Sequence, residues 1–264
     1  MKSLMKGLTK EMKHKPKIYA LTGKGGVGKT SVSAALVKVL TEKYPDKKIL
    51  AIDADPAIGL ATALGIQASL TLNDIRNEIV AHVEDGNSKA AMELISESRY
   101  KIAEAIVETD SFAFLAIGRP ESAGCYCRIN AYLKEVITMV ADQFDYVVID
   151  GEAGIEQINR RVMEKVTHLL LVTDTSKKGV EVIKTIAHVA SGMVSYDELG
   201  VIVNRVEDMS RVDKLGLADL KLLAAIASDP ILAEYDFEGR SLLELPGDSA
   251  AVRGAERALE NLGG

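Results

Sequence analysis

An α/β fold is predicted for this chain, with a doubly wound, mainly parallel sheet that carries helices on both of its faces. Short apolar runs alternate with helical patterns between residues 17 and 245, which is typical of parallel strands joined by crossover helices. A glycine-rich loop follows the first apolar run, and aspartates follow two later runs. Because ligands of open α/β sheets bind beyond the carboxyl ends of the strands, we expect one crevice where these polar segments converge.

The period of the apolar residues predicts each element in turn. Strands are expected at 18–21, 49–56, 112–117, 144–150, 168–173 and 199–205, with a last strand and its loop at 224–230. Helices are expected at 31–40, at 58–64, at 70–107 with a polar break at 84–88, at 129–142, from 177 onward, and at 249–262.

Composition limits the possible functions. Of the 264 residues, 47% are hydrophobic and 5% are aromatic, so we expect one large domain with an aliphatic core. The net charge of −6 argues against a broad nucleic-acid-binding face, and no specific nucleic-acid partner is expected. No apolar run approaches the length of about 18 residues that a membrane span needs, and no signal peptide is recognisable, so stable membrane insertion is not expected. Two cysteines that are one residue apart cannot form a disulfide framework, which favours a cytoplasmic protein.

A basic segment precedes the first strand. Residues 1–17 contain six lysines and one glutamate, and their apolar residues fall at helical spacing. Two interpretations are open: an amphipathic arm for a membrane surface or a partner, and a solvated extension, which we favour because chain ends are commonly poorly ordered. We therefore divide the chain into a basic extension at 1–16 and a single domain at 17–264.

Residues 22–30, with the sequence Thr-Gly-Lys-Gly-Gly-Val-Gly-Lys-Thr, have the pattern of a phosphate-binding loop. Glycines let the backbone turn its N–H groups inward, where side chains would block a polyphosphate, and the start of the next helix adds positive partial charge. Lys29 is expected to reach the β- and γ-phosphates, and the Thr30 hydroxyl to bind Mg²⁺. A tight glycine turn is the alternative, which the strand–loop–helix context disfavours. The residues expected to bind the phosphates are Gly23, Lys24, Gly25, Gly26, Val27, Gly28, Lys29, Thr30 and Ser31.

A second lysine, Lys24, indicates which class of phosphate-binding loop this is. The pattern Lys-Gly-Gly-x-Gly-Lys-Thr at residues 24–30 resembles the deviant Walker A loop of the family that contains MinD, ParA, the nitrogenase iron protein and the CooC nickel-insertion ATPases. The resemblance implies a P-loop ATPase that binds ATP or ADP with Mg²⁺ and forms an ATP-dependent homodimer. It also implies that Lys24 crosses the dimer interface to the nucleotide of the other subunit. A solvated loop lysine is the alternative for Lys24.

Two carboxylates follow the second predicted strand. Asp55, which precedes Pro56, resembles the first switch of the family, and the resemblance implies that Asp55 orients the attacking water. Asp53 lies two residues earlier on the same strand, so it points the same way and could support Mg²⁺ indirectly. A helix-capping role is the alternative for Asp55. The residues expected to carry catalysis are Lys24, Lys29 and Asp55.

The strand that ends at Asp150 has the Walker B arrangement. An aspartate at such a strand end holds Mg²⁺ directly or through water, so Thr30 and Asp150 are the expected magnesium ligands. Gly154 follows, and its N–H is expected to reach the γ-phosphate. The family often has Asp-x-Pro-Ala-Gly-Ile-Glu here, and Glu152 replaces the proline. This departure leaves Asp150 in place but puts the path of the second switch in doubt.

Cys125 and Cys127 form a Cys-x-Cys motif in a loop between a predicted strand and a predicted helix. A helix N-terminus lowers a thiol pKa, and the thiolate is the form that binds metal. One motif supplies two ligands, and two copies across a twofold axis would supply the four of a tetrahedral site. Two buried structural thiols are the alternative. Gly-Cys-Tyr-Cys after Gly-Arg-Pro resembles the CooC-type ATPases, which implies a nickel or zinc ion, or less favourably an iron–sulfur cluster, shared between two subunits.

The end of the strand at 199–205 is expected to meet the base of the nucleotide. By the same family resemblance Asn204, which precedes Arg205, contacts the adenine edge, since an amide can donate and accept together. Residues 224–230 resemble the later loop whose backbone frames the base, although Ala227 replaces the first proline of the family's Pro-x-Asp-Pro turn. Asn204 and Arg205 are therefore expected to bind nucleotide, and adenine specificity follows from the resemblance alone.

The combination of motifs predicts an ATP-hydrolysing metallochaperone. Closure of an ATP-dependent homodimer is expected to change the geometry of the paired cysteines, and so to capture or release a metal for a client such as carbon monoxide dehydrogenase or a related metalloenzyme. Three other functions remain open, of which a biosynthetic ligase or kinase on the same fold is the least favoured, because Lys24 would then have no evident role. The other two are more specific. One is a reductase that resembles the nitrogenase iron protein, whose bridging iron–sulfur cluster would absorb visible light. The other is a positioning ATPase that resembles MinD or ParA, and DNA would stimulate its turnover in the ParA-like case.

Overall fold

The strands form one sheet whose polar ends lie along a single edge. A computed structural model of the chain describes residues 15–84, 93, 97, 100–119, 127–151, 162–190 and 192–263. Within this part of the chain the strands are β1 (Lys17–Gly23), β2 (Ile49–Asp53), β3 (Val107–Glu108), β4 (Ala113–Ala116), β5 (Tyr146–Asp150), β6 (His168–Thr173), β7 (Glu198–Val206) and β8 (Leu222–Ala227). Their order is β3-β4-β2-β5-β1-β6-β7-β8, and every neighbouring pair is parallel except β3 and β4.

Helices occupy the connections between these strands. They are α1 (Lys29–Lys43), α2 (Gly59–Leu64), α3 (Leu72–Glu84), α4 (Cys127–Ala141), α5 (Lys177–Ala190), α6 (Pro230–Glu238) and α7 (Ala250–Asn261). Short 3₁₀ helices cover Met209–Leu215 and Leu242–Glu244. Residues 100–105 are also helical, and the predicted polar break beyond residue 84 lies outside the described residues.

The fold class predicted from the sequence is confirmed. Alternate residues of β1 point to opposite faces of the sheet, so that Ile18 and Ala20 join one hydrophobic cluster while Tyr19 and Leu21 join a second. Helices α3, α4 and α5 contribute buried residues to the first cluster, and α1, α2 and α7 contribute to the second. The parallel strands are mainly apolar, as expected for strands whose two faces are both covered. Strand β3 was not predicted, since two residues are too few to show a period.

Helix α1 is more deeply buried than an amphipathic surface helix. Every residue from 32 to 40 is buried. The sheet covers one side of α1, while helices α2 and α7 cover other sides of it. Helix α7 packs closely on β8, since a Cβ at Gly254 would lie 2.4 Å from Cγ1 of Ile226. The helix that follows the phosphate-binding loop is thus held in the interior.

No helix in the described part of the chain is both long enough and apolar enough to span a bilayer.

Candidate functional site

The glycine-rich loop connects β1, at the centre of the sheet, to α1. Gly28 precedes the helix with a φ of 88°, a left-handed conformation that a side chain would strain. A Cβ at Gly28 would also lie 2.6 Å from Nδ2 of Asn204 on β7. Because Gly28 offers no side chain to the N–H groups of the first helical turn, these donors suit an anion.

Lys29 lies on the inner side of this loop. The residue is 8% exposed, and its Nζ donates to the backbone carbonyl of Lys24 at 3.2 Å. The lysine therefore brings a positive charge to a turn of backbone N–H donors, an arrangement that matches a polyphosphate.

Asp150, at the end of β5, is hydrogen-bonded to the helix that follows the loop. Its Oδ2 accepts from the Thr30 hydroxyl at 2.8 Å, and its Oδ1 accepts from the Ser33 hydroxyl at 2.9 Å. The structure thus brings together the two residues that were predicted to bind magnesium. Ser33 was not predicted, although it lies one turn after Thr30 on the same helix face, and that spacing could have identified it.

The negative charge on Asp150 destabilises the folded state of the isolated chain. Burial raises its pKa to about 6, while the hydroxyls of Thr30 and Ser33 and the charge of Lys29 act in the opposite direction. A divalent cation would favour the charged form, and a carboxylate beside a hydroxyl is an oxygen donor set that suits Mg²⁺. Among the described residues no three His, Cys, Asp or Glu side chains converge as metal ligands. A magnesium ion at Asp150 would therefore complete its coordination with phosphate oxygens and water.

Asp53 is fully buried at the end of β2 and caps helix α2. Its Oδ2 accepts from the N–H groups of Leu60 at 2.8 Å and Ala61 at 3.3 Å, and its Oδ1 accepts from the N–H of Asp55 at 3.1 Å. Burial and the neighbouring charge of Asp150 raise the pKa of Asp53 to about 7. The helix-capping role considered for Asp55 thus belongs to Asp53, and its charge is coupled to that of the Walker B aspartate.

Asp55 lies in the turn after β2 rather than within the strand. It is half-buried, and its Oδ1 accepts from the N–H of Ala57 at 2.9 Å. Its negative charge raises the pKa of Asp150, so the two carboxylates are within electrostatic reach of each other. Asp55 therefore lies at the rim of the same crevice.

Lys24 lies against the end of β6. Its Nζ is 3.1 Å from Oδ2 of Asp174 and 3.3 Å from Oγ of Ser176, and both members of the ion pair have 27% of their side-chain surface exposed. Although burial raises the pKa of Asp174, hydrogen bonds from Ser176 and Lys24 bring it below its usual value. Neither Asp174 nor Ser176 was predicted, yet both follow a strand that neighbours β1, which is the signal that could have found them.

Asn204 and Arg205 contact the phosphate-binding loop from β7. Nδ2 of Asn204, an 8% exposed residue, donates to the carbonyl of Val27 at 2.9 Å, and Nη1 of Arg205 donates to the carbonyl of Gly26 at 3.0 Å. The strand ends at Val206, one residue beyond the end at Arg205 that the sequence pattern predicted. Both side chains lie at the crevice, and in this structure their partners are loop carbonyls.

Two predicted sites fall in parts of the chain that the structure does not describe. Cys125 and Gly154 lie outside the described residues, and of Cys127 only the backbone is described, as the first residue of α4. Both ends of the cysteine loop are held by α3: Nδ2 of Asn73 donates to the carbonyl of Gly118 at 2.6 Å, and Nε of Arg76 donates to Oδ1 of Asn130 at 2.8 Å.

Comparison with known proteins places this site in a family. A family model described as an AAA domain matches residues 16–195, which is more than half of the chain. The chain belongs to this AAA-domain family.

Similarity to known proteins extends over nearly the whole length of the chain. It is 36% identical over 249 residues to an uncharacterized ATP-binding protein of Methanocaldococcus jannaschii, a match that covers 93% of this chain and 98% of the relative. It is 29% identical over 261 residues to the carbon monoxide dehydrogenase accessory protein CooC of Rhodospirillum rubrum, with 91% and 93% covered. The crystal structure of the cell division ATPase MinD of Pyrococcus furiosus superposes on this chain with a TM-score of 0.67 at 24% identity. The superposition covers 94% of this chain and 98% of the MinD chain, so the two proteins share a fold.

Proposed function

We propose that this chain hydrolyses ATP as a nucleotide-dependent homodimer, and that it binds nickel or zinc through Cys125 and Cys127 for insertion into a client metalloenzyme. The observation that supports the nucleotide part best is the contact of Asp150 with Thr30 and Ser33 beside the charge of Lys29. Support for the metal part comes from the Cys-x-Cys motif and from similarity to the Rhodospirillum rubrum accessory protein, and carbon monoxide dehydrogenase is therefore the first client to test.

The ATP site would be built from the loop at residues 23–31. Backbone N–H groups and Lys29 would bind the phosphates, while Thr30 and Asp150 would hold Mg²⁺. The magnesium ion would supply neutralisation of negative charge on the phosphate oxygens. The N–H of Gly154 would add a donor to the γ-phosphate. The Methanocaldococcus jannaschii relative is likewise named as an ATP-binding protein.

Hydrolysis requires a positioned water at the rim of the crevice. Asp55 would accept a hydrogen bond from that water and orient it in line with the bond that breaks. The water oxygen would bond to the γ-phosphorus as the bond to the bridging oxygen of ADP breaks. One water proton would stay on the inorganic phosphate, and the other would pass to solvent. Lys29 and the partner's copy of Lys24 would offset the charge that develops on the phosphate oxygens.

The dimer step requires Lys24 to exchange its contacts. In the single chain its ammonium group lies on Asp174 and Ser176. A partly exposed ion pair of this kind contributes at most about 1 kcal/mol, whereas charge-assisted hydrogen bonds to phosphate are stronger. A partner's nucleotide could therefore draw Lys24 away from Asp174.

Measuring the oligomeric state tests this dimer step. Light scattering after size exclusion should show a dimer of the wild type with Mg-ATP and a monomer of Lys24→Ala under the same conditions. Lys178→Ala is a suitable control, because Lys178 is an exposed lysine at the start of α5. Dimerisation of Lys24→Ala to the wild-type extent would disprove a role for Lys24 across the interface.

The cysteines are tested by elemental analysis of anaerobically purified protein. We expect one nickel or zinc ion for each pair of chains, and loss of that metal with unchanged ATP binding in the double variant Cys125→Ser, Cys127→Ser. Iron and sulfide with visible absorption would instead indicate the reductase. Metal retained by the double variant would exclude the Cys-x-Cys site.

A positioning ATPase similar to MinD is the second candidate, and the fold shared with the Pyrococcus furiosus protein favours it. The predicted tail helix, now α7, bears on this alternative. Its apolar residues are buried against the sheet and α1, so this helix has no apolar face free to lie on a membrane surface. Co-sedimentation with anionic lipid vesicles only in the presence of Mg-ATP would favour the MinD-like function.

A further inference from the structure

Arg76, on helix α3, is one of three cationic side chains that are buried in the described part of the chain, and the other two are Lys29 and Lys38. Lys29 belongs to the phosphate-binding loop. Lys38 lies on α1, across the sheet from α3, and it contacts the carboxylate of Glu42 and the carbonyl of Leu243 at 2.9 Å. Because a charge is costly to bury, the contacts of Arg76 indicate which part of the molecule its charge serves.

Arg76 binds the first turn of helix α4. Its Nε donates to Oδ1 of Asn130 at 2.8 Å, and the residue is 7% exposed. Asn130 follows Cys127, the first residue of α4, by three positions, and positions three apart lie on the same face of a helix. A guanidinium keeps its charge at every ordinary pH and holds its donors in one plane. Arg76 therefore fixes a permanent positive charge at the turn that Cys127 begins.

Asn73, one turn before Arg76 on α3, holds the chain where it leaves β4. The N–H of Asn73 donates to the carbonyl of Ile117 at 2.9 Å, and its Nδ2 donates to the carbonyl of Gly118 at 2.6 Å. Gly118 has a φ of 78°, and a Cβ there would lie 2.4 Å from Oγ1 of Thr71. The segment that contains the Cys-x-Cys motif thus begins and ends at points that a single helix fixes.

The proposed metal site would carry a negative charge that Arg76 can balance. Two cysteines from each of two chains supply four thiolates, and four thiolates with one divalent ion leave two net negative charges. A pair of chains also brings two copies of Arg76, one to the first turn of each α4 helix. Residues that support metal ligands from behind change metal affinity by about 10- to 100-fold when they are replaced.

We propose that Asn73 and Arg76 are positioning residues for the metal that Cys125 and Cys127 bind. Asn73 fixes the start of the cysteine segment, while Arg76 fixes its end and supplies the charge that stabilises an anionic metal–thiolate complex. This inference rests on the proposed metal function. It applies to divalent ions that prefer thiolate ligands, such as Zn²⁺ and Co²⁺, and not to Mg²⁺ at the nucleotide site, because Mg²⁺ prefers oxygen ligands.

The test measures metal affinity of the full chain under anaerobic conditions, with Mg²⁺ and a slowly hydrolysed ATP analogue present. Zn²⁺ is titrated in competition with a chromophoric chelator, and Co²⁺ is followed by its visible absorption. Arg76→Gln should weaken Zn²⁺ binding by about 10- to 100-fold, and Asn73→Ala by about tenfold, at an unchanged affinity for the ATP analogue. Arg76→Lys, which keeps the charge, should recover part of the loss.

Two results would overturn the inference, and they are distinguishable. Wild-type Zn²⁺ affinity in both Arg76→Gln and Asn73→Ala would disprove the positioning role and leave the metal function intact. A wild type that binds neither Zn²⁺ nor Co²⁺ would disprove the metal function, and the inference with it.

Lys38→Gln is a matched control, because it removes another buried cation on the opposite face of the sheet. This variant should lower the melting temperature without a change in Zn²⁺ affinity. If it weakens Zn²⁺ binding as much as Arg76→Gln does, general destabilisation explains both and the inference is wrong. Should Arg76→Gln fail to fold, Asn130→Ala removes the acceptor on α4 while it keeps the charge of Arg76. We expect several-fold weaker Zn²⁺ binding in that variant, and wild-type affinity would contradict the inference.

Discussion

Asp150→Asn should make the chain more stable without Mg-ATP and less stable with it. Burial raises the pKa of Asp150 from 3.8 to about 6. Because the pKa of this carboxyl is higher in the folded state than in the unfolded state, the neutral carboxyl stabilises the folded state below about pH 4. This stabilisation is lost as the pH rises through 6. Since one pKa unit corresponds to about 1.4 kcal/mol, the buried charge costs about 3 kcal/mol at pH 8.

The substitution removes this charge with little change of shape. An asparagine can accept from one of the two hydroxyls, Thr30 or Ser33, and donate its amide N–H to the other, because hydroxyls both donate and accept. Loss of the charge also removes the repulsion between Asp150 and Asp53, which contributes to raising the pKa of Asp53 to about 7. This second effect also stabilises the folded state. The gain in unfolding free energy should therefore grow from near zero at pH 4 to about 3 kcal/mol at pH 8.

Urea denaturation at pH 5 and pH 8, with chelator and without nucleotide, measures this gain. In a second series with saturating Mg-ATP, the wild type should be stabilised by ligand binding, and Asp150→Asn should gain much less because one magnesium ligand is lost. Asp219→Asn is the control, since it makes the same substitution at an exposed position. A stability difference that does not vary with pH, or equal stabilisation of both proteins by Mg-ATP, would refute the reasoning.

Three further substitutions have defined outcomes. Gly254→Ala should lower the unfolding free energy by about 1–3 kcal/mol, because its Cβ would overlap a β8 side chain, and unchanged urea denaturation would contradict that close packing. Asp174→Asn should change the unfolding free energy by less than about 1 kcal/mol, because its ion pair with Lys24 is partly exposed; a much larger loss in thermal denaturation would indicate a structural role. Ser33→Ala removes a hydrogen bond that favours the charged form of Asp150, so the pKa of Asp150 should rise further. The loss of stability with rising pH should therefore extend to higher pH than in the wild type, and denaturation across pH 4–9 measures this.

Much of the fold was predictable because its signals are local. The apolar runs that became β1, β2, β5 and β6 stand between loops and helices, and a strand buried on both faces needs no partner to be recognised in a sequence. The two-residue strand β3 has no such signal, and the all-round burial of α1 follows from neighbours far away in the chain.

The candidate site was only partly predictable for the same reason. Thr30 and Asp150 belong to recognisable motifs, and the structure brings their side chains within 2.8 Å of each other. The partners of Asp53 and Lys24 could not be assigned by spacing, since the pairing of a strand-end carboxylate with a helix start or a loop lysine depends on the order of strands in the sheet.

The sequence by itself determined the α/β class, the phosphate-binding loop, the aspartates at the strand ends and the Cys-x-Cys motif, because each is a pattern of residue type within a short stretch of chain. Only the tertiary structure decided that Asp53 caps α2, that Lys24 rests on Asp174, and that Asn204 and Arg205 hold loop carbonyls. These contacts join residues as far apart as 179 positions, and side chains that distant meet only when the sheet sets their strands side by side.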